Sequence, residues 1–446
     1  MSKPVVEKQS SDESIKLAEK TPPVTPPEWK NIQEIVIHSL KGATRSFLVS
    51  FLLRGGVSFI IRLIAVYRKK TTLFSALKAS MGFETQRFAK MIASFSLTWK
   101  LISNFLHFKT KKNLKRNGAL AGAIAGLAVL IESPENRVAI AQQFSMRALQ
   151  GAKNALKQRK LFSMPHGDTL LFSLAVASIM YAYTMHPETI PREYYNWIVQ
   201  HGRVPKVIVE LNRENTKGHQ AGYFPANIEG LKAAMVKTHA TPENTKRLFD
   251  YIDANNGIAP NLPCSAIHAR ENSCIKYQAG VWYKTFLEMS PVYFSLNAVP
   301  TLLFKFKSVI ESPLQSLIRI IKSTAISSSF ISTYVYMFQT GLCLHRTFFP
   351  QQKEKYLFYY LGIVTGLSIL IEQKPKRAEL AMYVLPKGLQ SLYTLMIQNG
   401  TLIPIPHLDV IATCGAMSTI MSLYQTEPHQ LSSLMYKVMK GVIGTY

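Results

Sequence analysis

The feature that most constrains this chain is an internal duplication. Gly122-Ala-Ile-Ala-Gly126-Leu-Ala-Val-Leu-Ile-Glu132 realigns on Gly362-Ile-Val-Thr-Gly366-Leu-Ser-Ile-Leu-Ile-Glu372, 240 residues further on. Arg137 falls on Arg377, and Pro165-His166-Gly167-Asp168 matches Pro406-His407-Leu408-Asp409. Met185-His-Pro187-Glu and Thr426-Glu-Pro428-His then close the two halves. The fold is therefore expected to use the same parts twice.

Those parts are apolar runs. Phe47–Tyr67, Phe88–Phe108, Gly118–Ile131 and Leu170–Met185 form the first set. Ala279–Phe304, Ile320–Leu344, Tyr356–Ile371 and Val410–Tyr424 form the second. A bilayer core takes about 20 residues of helix. Only 17% of the chain is charged, against roughly 25% in soluble proteins. We expect an all-α membrane protein of two four-helix repeats with glycine-rich helix packing. An even number of spans per half makes the repeats parallel. The expected boundaries are a disordered tail at 1–30, a first membrane repeat at 31–200, a polar linker at 201–263 and a second membrane repeat at 264–446. The tail is rich in Lys, Glu, Ser and Pro, and the second repeat opens on a Cys/His segment.

The charge is lopsided, with 52 Lys+Arg against 26 Asp+Glu and a formal net charge of +26. Arg68, Lys69, Lys70, Lys78 and Arg87 follow the first run, and Lys109, Lys111, Lys112, Lys115 and Arg116 the second. Blocks so placed meet anionic lipid headgroups. The basic residues are not interleaved with aromatics on one face, so nucleic acid is not expected as a partner. Membrane lipids are, with room for protein partners or a homo-oligomer. Four scattered cysteines exclude a disulfide scaffold. No Gly-x-Ser-x-Gly, Walker loop, His-Glu-x-x-His or dinucleotide fingerprint occurs, so neither an enzyme nor a cofactor is expected.

Within the repeat, Gly118, Gly122 and Gly126 share one helix face, as do Gly362 and Gly366. Such faces let a second helix approach closely. Glu132 with Arg137, and Glu372 with Arg377, are candidates for polar pairs or for lining a cavity. Arg54 and Lys100 lie inside apolar runs, where an Arg costs about 2.5–3.5 kcal/mol. With Glu132 they are candidates for a hydrated groove. Asp168 and Asp409, next to His166 and His407, are placed as N-caps of the following helices. Cys264, His268 and Cys274 put three soft ligands within eleven residues. Zinc would need a fourth ligand from elsewhere and the spacing fits no common finger, so no metal is expected there.

The Cys264…His268…Cys274 stretch, running into Gly280-Val-Trp-Tyr-Lys, resembles the cysteine-rich segment of the transmembrane protein 135 family. Gly362-x-x-x-Gly366 followed by Pro406-His407-x-Asp409 resembles that family's carboxy-terminal half. The likeness covers residues 264–430 and, through the repeat, about 34–200; this chain has fewer cysteines. The resemblance implies a multi-pass protein of peroxisomal or mitochondrial membranes, linked to lipid metabolism and organelle dynamics. The glycine-rich four-helix pattern is also distantly similar to the mitochondrial inner-membrane translocase channel family, with its half-open, lipid-facing cavities. Two functions are expected from this. One is a groove for lipid, acyl or polypeptide passage; the alternative is a structural or adaptor protein controlling organelle morphology.

Overall fold

The computed structural model describes residues 27–444 except 68–70, 113–114, 162–163, 221–226, 258–260, 305, 351 and 353. Most of the expected tail, and Arg68, Lys69 and Lys70 of the first basic block, lie outside the described residues. Every regular element among the described residues is helical. The first half gives α1 (Ile32–Tyr67), α2 (Leu73–Ser80), α3 (Phe83–Thr110), α4 (Lys115–Gly126), α5 (Pro134–Gln158) and α6 (Gly167–Met185). The middle gives α7 (Arg192–His201), α8 (Lys206–Gln220), α9 (Ile228–Lys237), α10 (Pro242–Ala254) and the single turn α11 (Cys264–Ile267). Then follow α12 (Cys274–Phe304), α13 (Phe306–Glu311), α14 (Pro313–Phe348), α15 (Leu357–Gly366), α16 (Lys374–Gln398), α17 (Leu408–Thr426) and α18 (Ser433–Val442).

The duplicated sequence makes matching elements. α4 and α15 each run into a 3₁₀ turn of 5 residues, Leu127–Ile131 and Leu367–Ile371. α5 and α16 are both 25 residues long, and α6 and α17 both 19. The compact units nevertheless do not follow the halves of the sequence. One unit joins residues 1–164 to 405–446, and the other is residues 165–404. In the first, α4 and α5 pack on α17; in the second, α15 and α16 pack on α6. Each unit therefore takes its last repeat helix from the other half of the chain, which the boundaries 31–200 and 264–446 did not anticipate.

The glycines explain why that helix fits. A Cβ on Gly122 would lie 2.4 Å from the Met417 carbonyl oxygen, and one on Gly126 2.8 Å from Cys414 Cα. On Gly362 and Gly366 it would lie 2.5 Å from Ala177 Cα and Ser173 Cα. These are backbone-to-backbone approaches that no side chain permits. Gly118 meets the Gln425 side chain on the same α17 face. Around this crossing Trp99 and Tyr424 are fully buried, their rings edge to face at 6.1 Å.

Two long helices carry serines inward and aliphatic side chains outward. α1 buries Ser39, Ser46 and Ser50 while Leu40, Leu48, Leu52, Leu53 and Val57 are exposed. α14 buries Ser327, Ser328 and Ser332 while Leu314, Leu317, Ile318 and Ile321 are exposed. Among the described residues one helix, α6, is both long and apolar enough to cross a membrane, and 67% of its apolar window is buried. The sequence reading expected eight spans. Charges such as Arg54 and Lys100 dilute the other long helices, and α15 with its turn is shorter.

The described residues of 201–263, expected as a polar linker, instead form helices around a small core. Ile208, Leu211, Leu231, Met235, Leu248 and Ile252 interlock there at helical spacing. Asn227 and Thr241 start two of its helices. The Asn227 side chain accepts from Gly230 N, and Thr241 Oγ1 from Asn244 N.

If the glycine crossing holds each unit together, Gly122→Ala and Gly362→Ala should each cost about 1–3 kcal/mol, as overpacking does. Gly415→Ala, on α17 with nothing within 4 Å, should be neutral or gain up to about 1 kcal/mol from helix propensity. Thermal unfolding of the purified chain reads all three. Equal midpoints for Gly122→Ala and Gly415→Ala would rule out the close crossing.

Candidate functional site: an apolar chamber bordered by a thiol and imidazole cluster

The 165–404 unit encloses a chamber of about 810 Å³. α6 contributes Phe172, Val176 and Met180, α7 Tyr194 and Trp197, and α12 Met289 and Tyr293. α14 contributes Phe330, Tyr334 and Phe338, and α16 Tyr383 and Val384. α6 is held in place at its C-terminal end by Arg213, whose Nε donates to the Thr184 carbonyl at 2.7 Å and Nη2 to that of Tyr183 at 3.2 Å. Those carbonyls have no partner within the helix, and a cation there also complements the helix dipole.

Polar groups are few. His201 and Arg203 both reach Glu288, and Arg203 Nε also donates to Thr285 Oγ1 at 3.3 Å. Lys387 Nζ sits 3.8 Å from the centre of the Tyr383 ring and 5.4 Å from that of Tyr194. Burial pushes the Lys387 ammonium pKa down, and the ring faces partly replace its lost hydration. Of the charged residues lining the chamber, Arg346 is the buried one. Its Nε and Nη2 donate to Glu354 at 2.5 and 2.8 Å, and Nη2 also reaches Asn212 Oδ1 at 3.3 Å. Burial opposes the charge on Glu354, but attraction and hydrogen bonds from Arg346 override it and hold its carboxyl down at about 2.

Two polar atoms of the chamber residues stay unsatisfied. Arg346 Nη1 and Gln339 Oε1 are buried without a hydrogen-bond partner, although Gln339 Nε2 donates to the Gly202 carbonyl. Seven residues apart on α14, they share a helix face, about 10 Å along the axis. A donor and an acceptor buried without partners are costly unless a ligand or water satisfies them.

The residues singled out from the sequence fall elsewhere. Arg54 Nη1 binds Glu132 Oε1 at 3.1 Å and stacks on Phe88, with the guanidinium carbon 4.8 Å from the ring centre. Glu132 is 1% exposed, and its other oxygen accepts from Ser133 N and Asn136 Nδ2. Lys100 is buried across Gly42 instead, so these three residues do not converge on one groove. Arg137 and Arg377 donate to the main-chain carbonyls of Glu132 and Leu130, and of Glu372 and Leu370. They close the 3₁₀ turns rather than pair with the carboxylates. His166 and His407, not the aspartates, hold the N-cap positions, with φ of 58° and 53°. Asp168 and Asp409 sit in the first turn, where the helix dipole still favours them.

Cys264, His268 and Cys274 do converge, and Cys343 of α14 joins them. Their four ligand atoms all lie within 4.8 Å of one another. None of the four cysteines of the chain is in a disulfide. Cys343, Gln339 and Arg346 escaped the sequence reading because the first half has no counterpart to them; the signal available was Cys343-Leu-His345-Arg346 ending a Ser/Thr-rich helix. Comparison with protein-family models, characterised proteins and solved structures gave no match.

The Arg346–Glu354 pair makes stability depend on pH. Glu354 binds its proton near 4.5 when unconstrained and near 2 in the folded chain, so the unfolded state takes up the proton first as pH falls. The stabilisation is complete above about pH 5 and lost progressively toward pH 2. Glu354→Gln should flatten that part of the stability–pH curve. At neutral pH it should cost about 3–5 kcal/mol, since it strands a buried guanidinium. Denaturant titrations at pH 7 and pH 3.5 test this; parallel losses in both proteins would rule it out.

Proposed function

We propose that this chain is a multi-pass membrane protein, built of two parallel repeats, whose 165–404 unit binds an apolar chain such as an acyl group without transforming it. The observation that carries this reading is the chamber. Its volume of about 810 Å³ falls in the range of about 300–1,000 Å³ usual for ligand pockets. Its walls are aromatic and aliphatic, with few polar groups along them, as an apolar chain requires. Serines turned inward with leucines turned outward support a lipid surround, where buried polar groups bind helices and apolar ones face the tails. The likeness to the transmembrane protein 135 family directs the reading to peroxisomal or mitochondrial membranes and to lipid metabolism.

Membrane residence is tested by alkaline carbonate extraction of cells expressing the tagged chain, which should leave it in the membrane pellet. Ligand binding is tested with cis-parinaric acid on the detergent-purified chain. Val335→Trp and Leu342→Trp, which fill the chamber from α14, should weaken binding about tenfold or more, equivalent to at least 1.4 kcal/mol. Binding that survives both substitutions in folded protein would place the ligand outside the chamber and sink the reading.

A further inference from the structure

The thiol and imidazole cluster is not part of the repeat: 240 residues earlier the matching positions hold Val24, Glu28, Glu34 and Ser103. Cys264 opens α11, His268 follows it, Cys274 opens α12, and Cys343 comes from α14. Around a tetrahedral zinc, ligand atoms stand about 3.5–3.8 Å apart, given Zn–S near 2.3 Å and Zn–N near 2.0–2.1 Å. Four atoms already within 4.8 Å of one another need only a small contraction to reach that spacing.

The surroundings point to a metal independently of the cluster. His268 Nδ1 lies 2.6 Å from the Glu271 carbonyl, so that nitrogen carries the proton and Nε2 is left with its lone pair. Nε2 faces the sulfurs, 3.1 Å from Cys274 Sγ. A backbone carbonyl fixing the tautomer of a ligand histidine is the usual outer support of a zinc site. The loop bearing His268 is held from outside. Asn244 Nδ2 donates to the carbonyls of His268, Ala269 and Glu271 at 3.4, 3.0 and 3.2 Å. Gln278 Nε2 donates to Cys343 Sγ at 3.3 Å, a bond that favours a thiolate.

We propose that Cys264, His268, Cys274 and Cys343 bind one zinc ion in a closed Cys₃His site. Three thiolates and an imidazole select a soft or borderline cation over magnesium or calcium. Four protein ligands leave no open position, so the ion is structural. It ties the 264–274 segment to α14 one turn before Arg346, and so braces the wall of the chamber.

The experiment uses the full chain purified in detergent under reducing conditions. Elemental analysis should find one zinc per chain, lost in Cys264→Ser and Cys343→Ser. Zinc should be retained in Cys414→Ser, the remaining cysteine, which lies in the other unit. After chelation, cobalt(II) should give the visible bands of a tetrahedral site with thiolate charge transfer, and zinc should bleach them. His268→Cys should keep one zinc and strengthen the charge-transfer band. Zinc and cobalt binding by the unmodified chain decides the matter even if the serine variants fail to fold. The proposal falls if the reduced unmodified chain neither holds zinc nor binds cobalt tetrahedrally. It also falls if Cys343→Ser keeps its zinc, or if peptide mapping finds Cys264 in a disulfide with Cys274 or Cys343.

Discussion

The close approach of backbones at two helix crossings is the constraint on which everything else depends. α4 meets α17, and α15 meets α6, at distances only glycine allows. At such range the two backbones make dense dispersion contacts, and a single added Cβ would push the helices apart. The crossing also sets the chamber. On α6, Ser173 and Ala177 lie against Gly366 and Gly362, while Phe172, Val176 and Met180 on the adjoining face line the cavity. Rotation of α6 about its axis would disturb both surfaces at once.

The two units spend the same scaffold differently. In the first, the cavity among Met91, Phe95, Met417 and Met439 is only about 80 Å³, and half-buried Arg54 pairs with buried Glu132. In the second, half-buried Lys376 donates to Asn297 Oδ1, Ser323 Oγ and Ser327 Oγ at 2.8, 2.7 and 3.3 Å. A lysine solvated by hydroxyls and an amide avoids the strict geometry that an ion pair demands. One unit is thus filled, and the other encloses space.

Local features of this architecture were legible in the sequence, and long-range ones were not. The duplication, the helical class and the helix carrying Gly122 and Gly126 follow from short-range pattern alone. Nothing in that pattern says which partner a glycine face takes. α17 and α6 match each other in length and cap, so either would suit either unit on sequence grounds. The misreading of 201–263 has another cause. Asn227 and Thr241 are good residues for loops because their side chains bond nearby N–H groups, and they are good N-caps for the same reason. Cys343 was invisible because it stands 69 positions beyond Cys274, a separation that only tertiary structure closes.

The exchange of the last helix has a consequence for biogenesis. The first five helices are synthesised long before α17, which starts about 250 residues after α5 ends. At roughly 5–20 residues per second, a ribosome needs on the order of 12–50 s to supply the missing partner. During that time the glycine face of α4 has no native cover, whereas the 165–404 unit is complete once α16 has emerged. The early segment thus waits for its last partner, and the unit that begins first is the one that finishes last.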